Sequence, residues 1–482
     1  MKGFDRTTSA SSLAAPAPGD GASMDRENPR QAEGAASGTA PPPRPHGRRA
    51  IGVDVARAVA LIGMIAVHVF PESDEAGGMS WAFGIFGGRA AALFALLAGV
   101  SISFVEKRSR GQLHGRNLAA DRVALVVRGL IILLAGLLLG YLDTPIQTVI
   151  PYFGILFILV VPLYGRSSRV LLIATTCFAI LGPVFLHAFG SSLPEQINPE
   201  NDYTPVTAIM QPVPFVADML LIGFYPTLLW MVYICVGMVI GRQVLTSRKV
   251  ALALVGWGAL LAISTWVLSK LLLGPAGGLE RLVESTPDLT RTEVVEYVTY
   301  GNESFLMPDT TWWWQAAVSP YSNTSLHLLH NLGSVLAALG IALLVTRPGV
   351  KVFSPFAAIG AMTLTLYSAH CVVLAIEVLD EDRPMLSLWV QIISFMLFAM
   401  LWRSAMGKGP LESIISDASD WARERVRKGG TRPLKTTRTP ERSREESSRA
   451  AISAASPGSS RNVALPVPMA GDLSHEPEGN RR

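Results

Sequence analysis

Charge is what this chain has least of. Only 16% of its 482 residues are Asp, Glu, Lys or Arg, half are hydrophobic, and the mean hydropathy is +0.36. That balance excludes a string of soluble domains, which the length alone would allow. Cysteine is scarce as well. Cys177, Cys235 and Cys371 lie far apart in apolar runs, so neither a disulfide framework nor a thiolate metal site is expected, and buried thiols in packed helices are the plain reading. No P-loop, glycine-rich dinucleotide fingerprint or zinc motif occurs, which leaves the usual soluble cofactor sites without support. Neither a metal nor a nucleic-acid partner is expected. Residues 1–47 also lack the apolar core of a secretory signal.

Long apolar runs are what the chain has in quantity. Stretches near 52–70, 85–105, 123–141, 146–164, 169–189, 219–241, 250–273, 325–346, 355–377 and 384–403 predict about ten membrane-spanning helices. The expected fold class is all-α, a polytopic membrane helix bundle. Its connections alternate in charge. Arg49; Lys107, Arg116 and Arg122; Arg166 and Arg169; Arg242 and Arg248; Arg347 and Lys351; and Arg403 and Lys408 fall on one side. Glu72 and Asp74, Asp143, Glu195, the 274–324 loop and Asp382 fall on the other. Basic loops stay cytoplasmic, so both termini are expected inside, in a multi-pass protein of the plasma membrane. Residues 1–47 and 416–482 are read as tails, the second mostly disordered and basic, flanking a transmembrane domain at 48–415.

The stretch Arg48–Val105 carries the strongest functional signal. Asp54, Arg57, His68 and Arg89 lie in or at the edge of its two apolar runs. Ionisable groups at membrane depth are costly and usually face a protein interior or a wet cavity. Arg57 and His68 are about three turns apart, roughly 16 Å along one helix face. Asp54 shares the flank of Arg57 as an ion-pair candidate. His68 and Arg89 are expected at neighbouring outer helix ends, and His327, His330 and His370 at similar depth. Imidazole suits proton abstraction or acyl carriage near neutral pH. Arginine beside it could hold an anion or a developing oxyanion. Structural hydrogen bonding between helices is the alternative for each histidine, above all for His327 and His187. Arg57 and Arg128 lie near the cationic inner face, where a phosphate or carboxylate pocket is one reading and simple positive-inside charge the other. Trp312, Trp313 and Trp314 are expected as an interfacial belt, or as a stacking surface for a sugar.

The run RRAIGVDVARAVALIGMIAVHV resembles the first catalytic-domain helix of the transmembrane acyltransferase superfamily, which includes heparan-alpha-glucosaminide N-acetyltransferase and its bacterial relatives. The family pattern of Arg, Asp, Arg and a closing Asn or His is matched by Arg49, Asp54, Arg57 and His68. GGRAAALFALLAGVSISF, SPYSNTSLHLLHNLGSVLAALG, AIGAMTLTLYSAHCVVLA and the Gly409-Pro410-Leu411-Glu412 ending resemble the actinobacterial branch, carrying the likeness over roughly 48–415. The resemblance implies acyl transfer across a membrane, from cytosolic acetyl-CoA or another acyl-CoA to an acceptor on the far side. The animal enzyme acts through an Asn at the end of this helix and a His in the next loop. Here His68 takes the Asn place, residues 71–83 hold no His, and Tyr321 stands where relatives often have His.

The resulting expectation is an integral-membrane acyltransferase with His68, Arg89, His330 and His370 as catalytic candidates. Asp54, Arg57 and Arg128 are the candidates for binding acyl-CoA. Membrane lipid and a cell-envelope glycan or lipid acceptor are the expected partners, with a homo-oligomer allowed. A transporter or flippase using the same polar stripe is the alternative, although no paired broken helices are evident in the sequence. A silent membrane scaffold is the third reading.

Overall fold

The computed structural model describes residues 51–74, 76–109, 115–142, 144–197, 203–301, 306–347, 351–378 and 382–429. The tail at 1–47, the chain beyond 429, and Arg49 and Asp143 lie outside these. Among the described residues every regular element is helical, and the one extended pairing is an isolated bridge between Ser73 and Met79.

The chain opens with α1 (Ile51–Val69). A short α2 (Trp81–Phe86), whose first turn is capped by Ser80, leads through Gly87 and Gly88 into α3 (Arg89–Arg108). Then come α4 (Arg116–Leu139), α5 (Ile150–Leu159) and α6 (Ser168–Phe189). Two short helices, α7 (Pro205–Met210) and α8 (Pro212–Ala217), run into a π turn at Asp218–Ile222 and on to α9 (Thr227–Gly241). α10 (Arg248–Leu273) is followed by α11 (Gly278–Ser285) and α12 (Arg291–Tyr300). The last five are α13 (Ser325–Val345), α14 (Ser354–Gly360), α15 (Thr363–Ala375), α16 (Pro384–Met406) and α17 (Pro410–Lys428).

Among the described residues, seven helices are long and apolar enough to cross a bilayer, and two bent pairs raise the number to nine. The chain is a multi-pass membrane protein. α8 with its π turn meets α9 at 47°, and α14 meets α15 at 69°. These two breaks interrupt the apolar runs at 219–241 and 355–377, which read from sequence as single continuous spans. Gly223 and Pro226 flank the first break, where the chain leaves the helical ladder. The remaining expected span, 146–164, is present only as the shorter apolar helix Ile150–Leu163. It covers about 21 Å, short of the roughly 30 Å hydrocarbon layer, and Pro162 sits in its tightened last turn.

Packing depends on close backbone approach. A Cβ placed on Gly99 of α3 would lie 2.1 Å from the Ile234 carbonyl oxygen of α9, and one on Gly237 would lie 2.0 Å from that of Leu96. Gly258 of α10 and Gly333 of α13 make the same kind of contact, since each would drive a Cβ to 2.5 Å from a backbone nitrogen of the other helix. Small residues at such crossings supply the van der Waals contact that holds membrane helices together.

The two ends of the bundle differ chemically. At the basic end Arg242 donates to Glu106 through Nε at 3.0 Å and Nη2 at 2.9 Å, and also to Ser168 Oγ and the Arg166 carbonyl. Buried Asp121 of α4 accepts from the Tyr164 hydroxyl at 3.1 Å and from Arg423 Nε of α17 at 2.9 Å. Burial, then the Asp121 carboxylate, holds the Tyr164 phenol above its ordinary pKa. α17 is thereby pinned under α4. Residues 416–428, assigned from sequence to the tail, are helical because Ile415, Ser419 and Ala422 give the segment a buried face.

At the far end α11, α12 and the turn Trp312–Ala316 form a small cap with its own core of Leu282, Val294 and Trp314. Thr290 and Glu293 close a reciprocal capping box at the start of α12. Tyr300 donates to the Gly77 carbonyl at 3.0 Å, tying the cap to the loop after α1. The three tryptophans therefore part company. Trp314 is core, Trp313 lies under Arg281, and exposed Trp312 packs on His187 with 4.1 Å between ring centroids. Cys177 is exposed rather than buried, whereas Cys235 and Cys371 are buried as expected; all three are free thiols.

Candidate active site

α1 is the central helix of the site. Most of its length is buried, and it packs against α3, α13, α14 and α16. Because it has neighbours on several sides, its polar residues go to different partners. Arg57 donates to Asp54 Oδ1 at 2.9 Å and also bonds Ser101 of α3. His68 turns instead to α15, where its Nδ1 lies 3.0 Å from His370 Nε2. The two imidazoles are nearly parallel, with centroids 5.3 Å apart. His370 is fully buried, and its Nδ1 lies 2.7 Å from Gln391 Oε1 of α16.

His68 and Arg89 do not bond each other. Arg89, at the first turn of α3, donates to the Gly84 carbonyl at 2.7 Å and bonds His330 Nε2 at 3.1 Å. His330 Nδ1 is 3.0 Å from the Ala262 carbonyl, so it donates there and offers Nε2 to the guanidinium. Both its nitrogens are engaged. His327 is likewise held at both nitrogens, by the Asn323 backbone N–H at 3.2 Å and the Asn331 amide at 2.9 Å. Of these four imidazoles, His68 alone has a nitrogen, Nε2, without a hydrogen-bond partner among the described residues.

Tyr321 borders the Arg89 group. Its backbone is left-handed, with φ at 60°, and its ring packs between Phe83, Phe224 and Tyr225. Burial pushes its phenol up to about 12, so the group replacing a histidine here stays protonated near neutral pH.

A cavity of about 140 Å³ lies between α1, α3, α4, α5, α15 and α17. Its lining is mostly apolar, with Arg128, Thr363 and Glu412 among its polar members, and it includes Met64 and Tyr367. Met64 is one turn below His68 on α1. The Tyr367 ring lies 6.3 Å from that of His68 and 6.2 Å from that of His370. The cavity thus reaches to within a helical turn of both imidazoles. Arg128 rests on the Phe157 ring at 5.0 Å and makes no hydrogen bond among the described residues. Glu412 is already committed. Its carboxylate accepts from the Leu364 and Thr365 N–H groups, at 2.8 and 3.2 Å, and from Thr365 Oγ1 at 2.6 Å, capping α15 at its break.

The arrangement offers an imidazole nitrogen without a hydrogen-bond partner among the described residues, a second imidazole bonded to the first, and a mostly apolar slot with a cation in its lining. No group of three or more metal-ligating side chains occurs among the described residues. Gln391, Tyr367 and Glu412 were not foreseen as site residues. Gln391 could have been, as an amide inside the apolar run 384–403.

Compared with known families, residues 49–270 match the family model described as heparan-alpha-glucosaminide N-acetyltransferase, catalytic. The resemblance read from the sequence therefore holds from the start of α1 into α10. Asp54, Arg57, His68, Arg89 and Arg128 fall within the matched residues, and His330, His370 and Gln391 fall beyond them. No curated protein matches the chain.

Proposed function

We propose that this protein is an integral-membrane acetyltransferase. It takes the acetyl group of acetyl-CoA, admitted at the basic end and cytosolic in orientation, and passes it to an amine or hydroxyl of an envelope sugar or lipid at the far end. The observation that carries this reading is the cavity lined by both Arg128 and Tyr367, whose ring stands beside the His68–His370 pair. The family match supports acetyl transfer in general.

Each part of the site then has a task. The apolar slot suits the uncharged arm of the thioester, and Arg128 presents unspent donors to an anionic group of CoA at its mouth. The acceptor nitrogen or oxygen attacks the thioester carbonyl carbon while His68 Nε2 takes its proton. The C–S bond breaks, the acetyl group stays on the acceptor, and the departing CoA sulfur receives the proton from His68. Arg89, oriented by His330, supplies positive charge toward the anionic acceptor group or acyl oxygen. His330 is thus a positioning residue in this reading rather than a substitute base.

Purified protein given [14C]acetyl-CoA and either glucosamine or an envelope lipid extract tests the proposal. Glucosamine is chosen because the matching family's description names a glucosaminide. Labelled acceptor together with free CoA thiol is expected; acetyl-CoA left intact with every acceptor would remove the reading. Arg128→Ala is expected to raise KM for acetyl-CoA by roughly 10- to 100-fold while kcat changes little, the worth of a charge-assisted contact. An unchanged KM would take Arg128 out of the binding site.

The two broken spans give the transporter reading a specific observation in its favour. Both breaks are filled by the chain itself, however. Glu412 occupies the α15 N-terminus, while the Ile197 N–H and the Tyr203 hydroxyl bond Asp218 beside the other break. A transporter would leave acetyl-CoA unconsumed in the same assay.

A further inference from the structure

The buried amide of Gln391 has no part in the reaction as drawn so far, yet it governs the histidine pair. We propose that Gln391 is a positioning residue that sets the proton order of His370 and His68 and so leaves His68 Nε2 as the proton-accepting nitrogen. This rests on the acetyltransferase reading and deepens it.

Gln391 is 3% exposed, and its Oε1 lies 2.7 Å from His370 Nδ1. A carbonyl oxygen only accepts, so that Nδ1 carries the hydrogen. A neutral imidazole has a single N–H, and His370 Nε2 therefore presents a lone pair. It lies 3.0 Å from His68 Nδ1, which must donate to it. His68 Nε2 is then left with its lone pair free. Turning the amide over would reverse every donor along the chain and place the hydrogen on His68 Nε2, an acid where the reaction needs a base.

An amide suits this position. It orients the pair as a carboxylate would, but adds no charge to a site inside the membrane, where an unpaired anion is costly. The contact also joins α16 to α15 about two turns beyond the break at residues 361–362, so the far half of that broken span is tied to α1 as well.

Two measurements test the proposal. The first is the 15N spectrum of [15N]histidine-labelled protein in nanodiscs, which distinguishes Nδ1–H from Nε2–H imidazoles. Both His68 and His370 are expected as Nδ1–H in the wild type; Nε2–H on His68 overturns the proposal. The second is steady-state acetyl transfer by Gln391→Leu and Gln391→Glu. Gln391→Leu is expected to lower kcat roughly 10- to 100-fold, as loss of an orienting partner does, with KM for acetyl-CoA near wild type. Gln391→Glu still accepts from His370 and should restore most of kcat. Its carboxylate stabilises the imidazolium, so the acid limb of the pH–rate profile moves to higher pH. Wild-type kcat in Gln391→Leu, or no rescue and no pH displacement in Gln391→Glu, overturns the assignment. If the wild type transfers no acetyl group to any acceptor, the acetyltransferase reading fails, and the 15N spectrum still decides the proton order by itself.

Discussion

Replacing His68 with alanine is expected to lower acetyl-CoA-dependent transfer by about 10²- to 10⁴-fold, the usual worth of a positioned general base. The size follows from its isolation. His327, His330 and His370 are bound at both nitrogens, so none of them can take over the proton without giving up a buried hydrogen bond. Tyr321 cannot serve either, because burial keeps its phenol protonated. Stability should change little by comparison, since His68 is only partly buried and makes one side-chain hydrogen bond. The melting curve of the variant in detergent checks that separation. Turnover within a few-fold of wild type in a folded His68→Ala protein would place the base elsewhere.

The second large effect concerns the scaffold. Gly237→Leu should abolish a stable bundle rather than merely weaken it. Its Cβ alone would sit 2.0 Å from the Leu96 carbonyl oxygen and 3.1 Å from the Gly99 Cα, both backbone atoms that no rotamer change can move aside. α3 and α9 would have to separate along their whole contact, and α3 carries Arg89 at one end and Glu106 at the other. Overpacking a close crossing commonly costs about 1–3 kcal/mol when side chains can yield, and more when two backbones must part. Size-exclusion chromatography and thermal melts in detergent report the outcome. A monodisperse Gly237→Leu protein with an unaltered melting temperature would show that the α3–α9 crossing is not the tight one seen here.

The sequence makes the class of fold legible for a simple reason. A membrane helix advertises itself by its length of apolar residues, and the stretches around 52–70, 85–105, 123–141 and 325–346 each became one. Breaks are harder to read, because hydropathy averages over them. In the apolar run at 355–377 only Gly360 hints at the 69° turn at residues 361–362, and Glu412 arrives from α17 to cap the second half. α17 is amphipathic and basic, like a disordered tail in composition, and it is ordered by contact with Asp121.

At the site, residue identities were legible but their pairings were not. Asp54 and Arg57, three positions apart on one helix, bond each other as local geometry suggests. His68 with His370 and Arg89 with His330 join residues 302 and 241 positions apart, and a single sequence holds no signal for such partners. His68 and Arg89, placed together by loop length, in fact sit in two different polar pairs. Gln391 escaped notice because an amide is a common bystander between membrane helices.

The central claim is that the slot between Arg128 and Tyr367 is the path along which the acetyl group reaches the His68–His370 pair. Ile132 lines that slot and neither histidine does, so Ile132→Trp is expected to fill it and leave the imidazoles in place. The direct test reconstitutes wild type and Ile132→Trp in vesicles, with [14C]acetyl-CoA outside and glucosamine trapped inside. Labelled N-acetylglucosamine is expected within the wild-type vesicles, with at least about a tenfold slower appearance when the slot is filled. Equal rates from the two proteins, or label that never crosses in either, would contradict it.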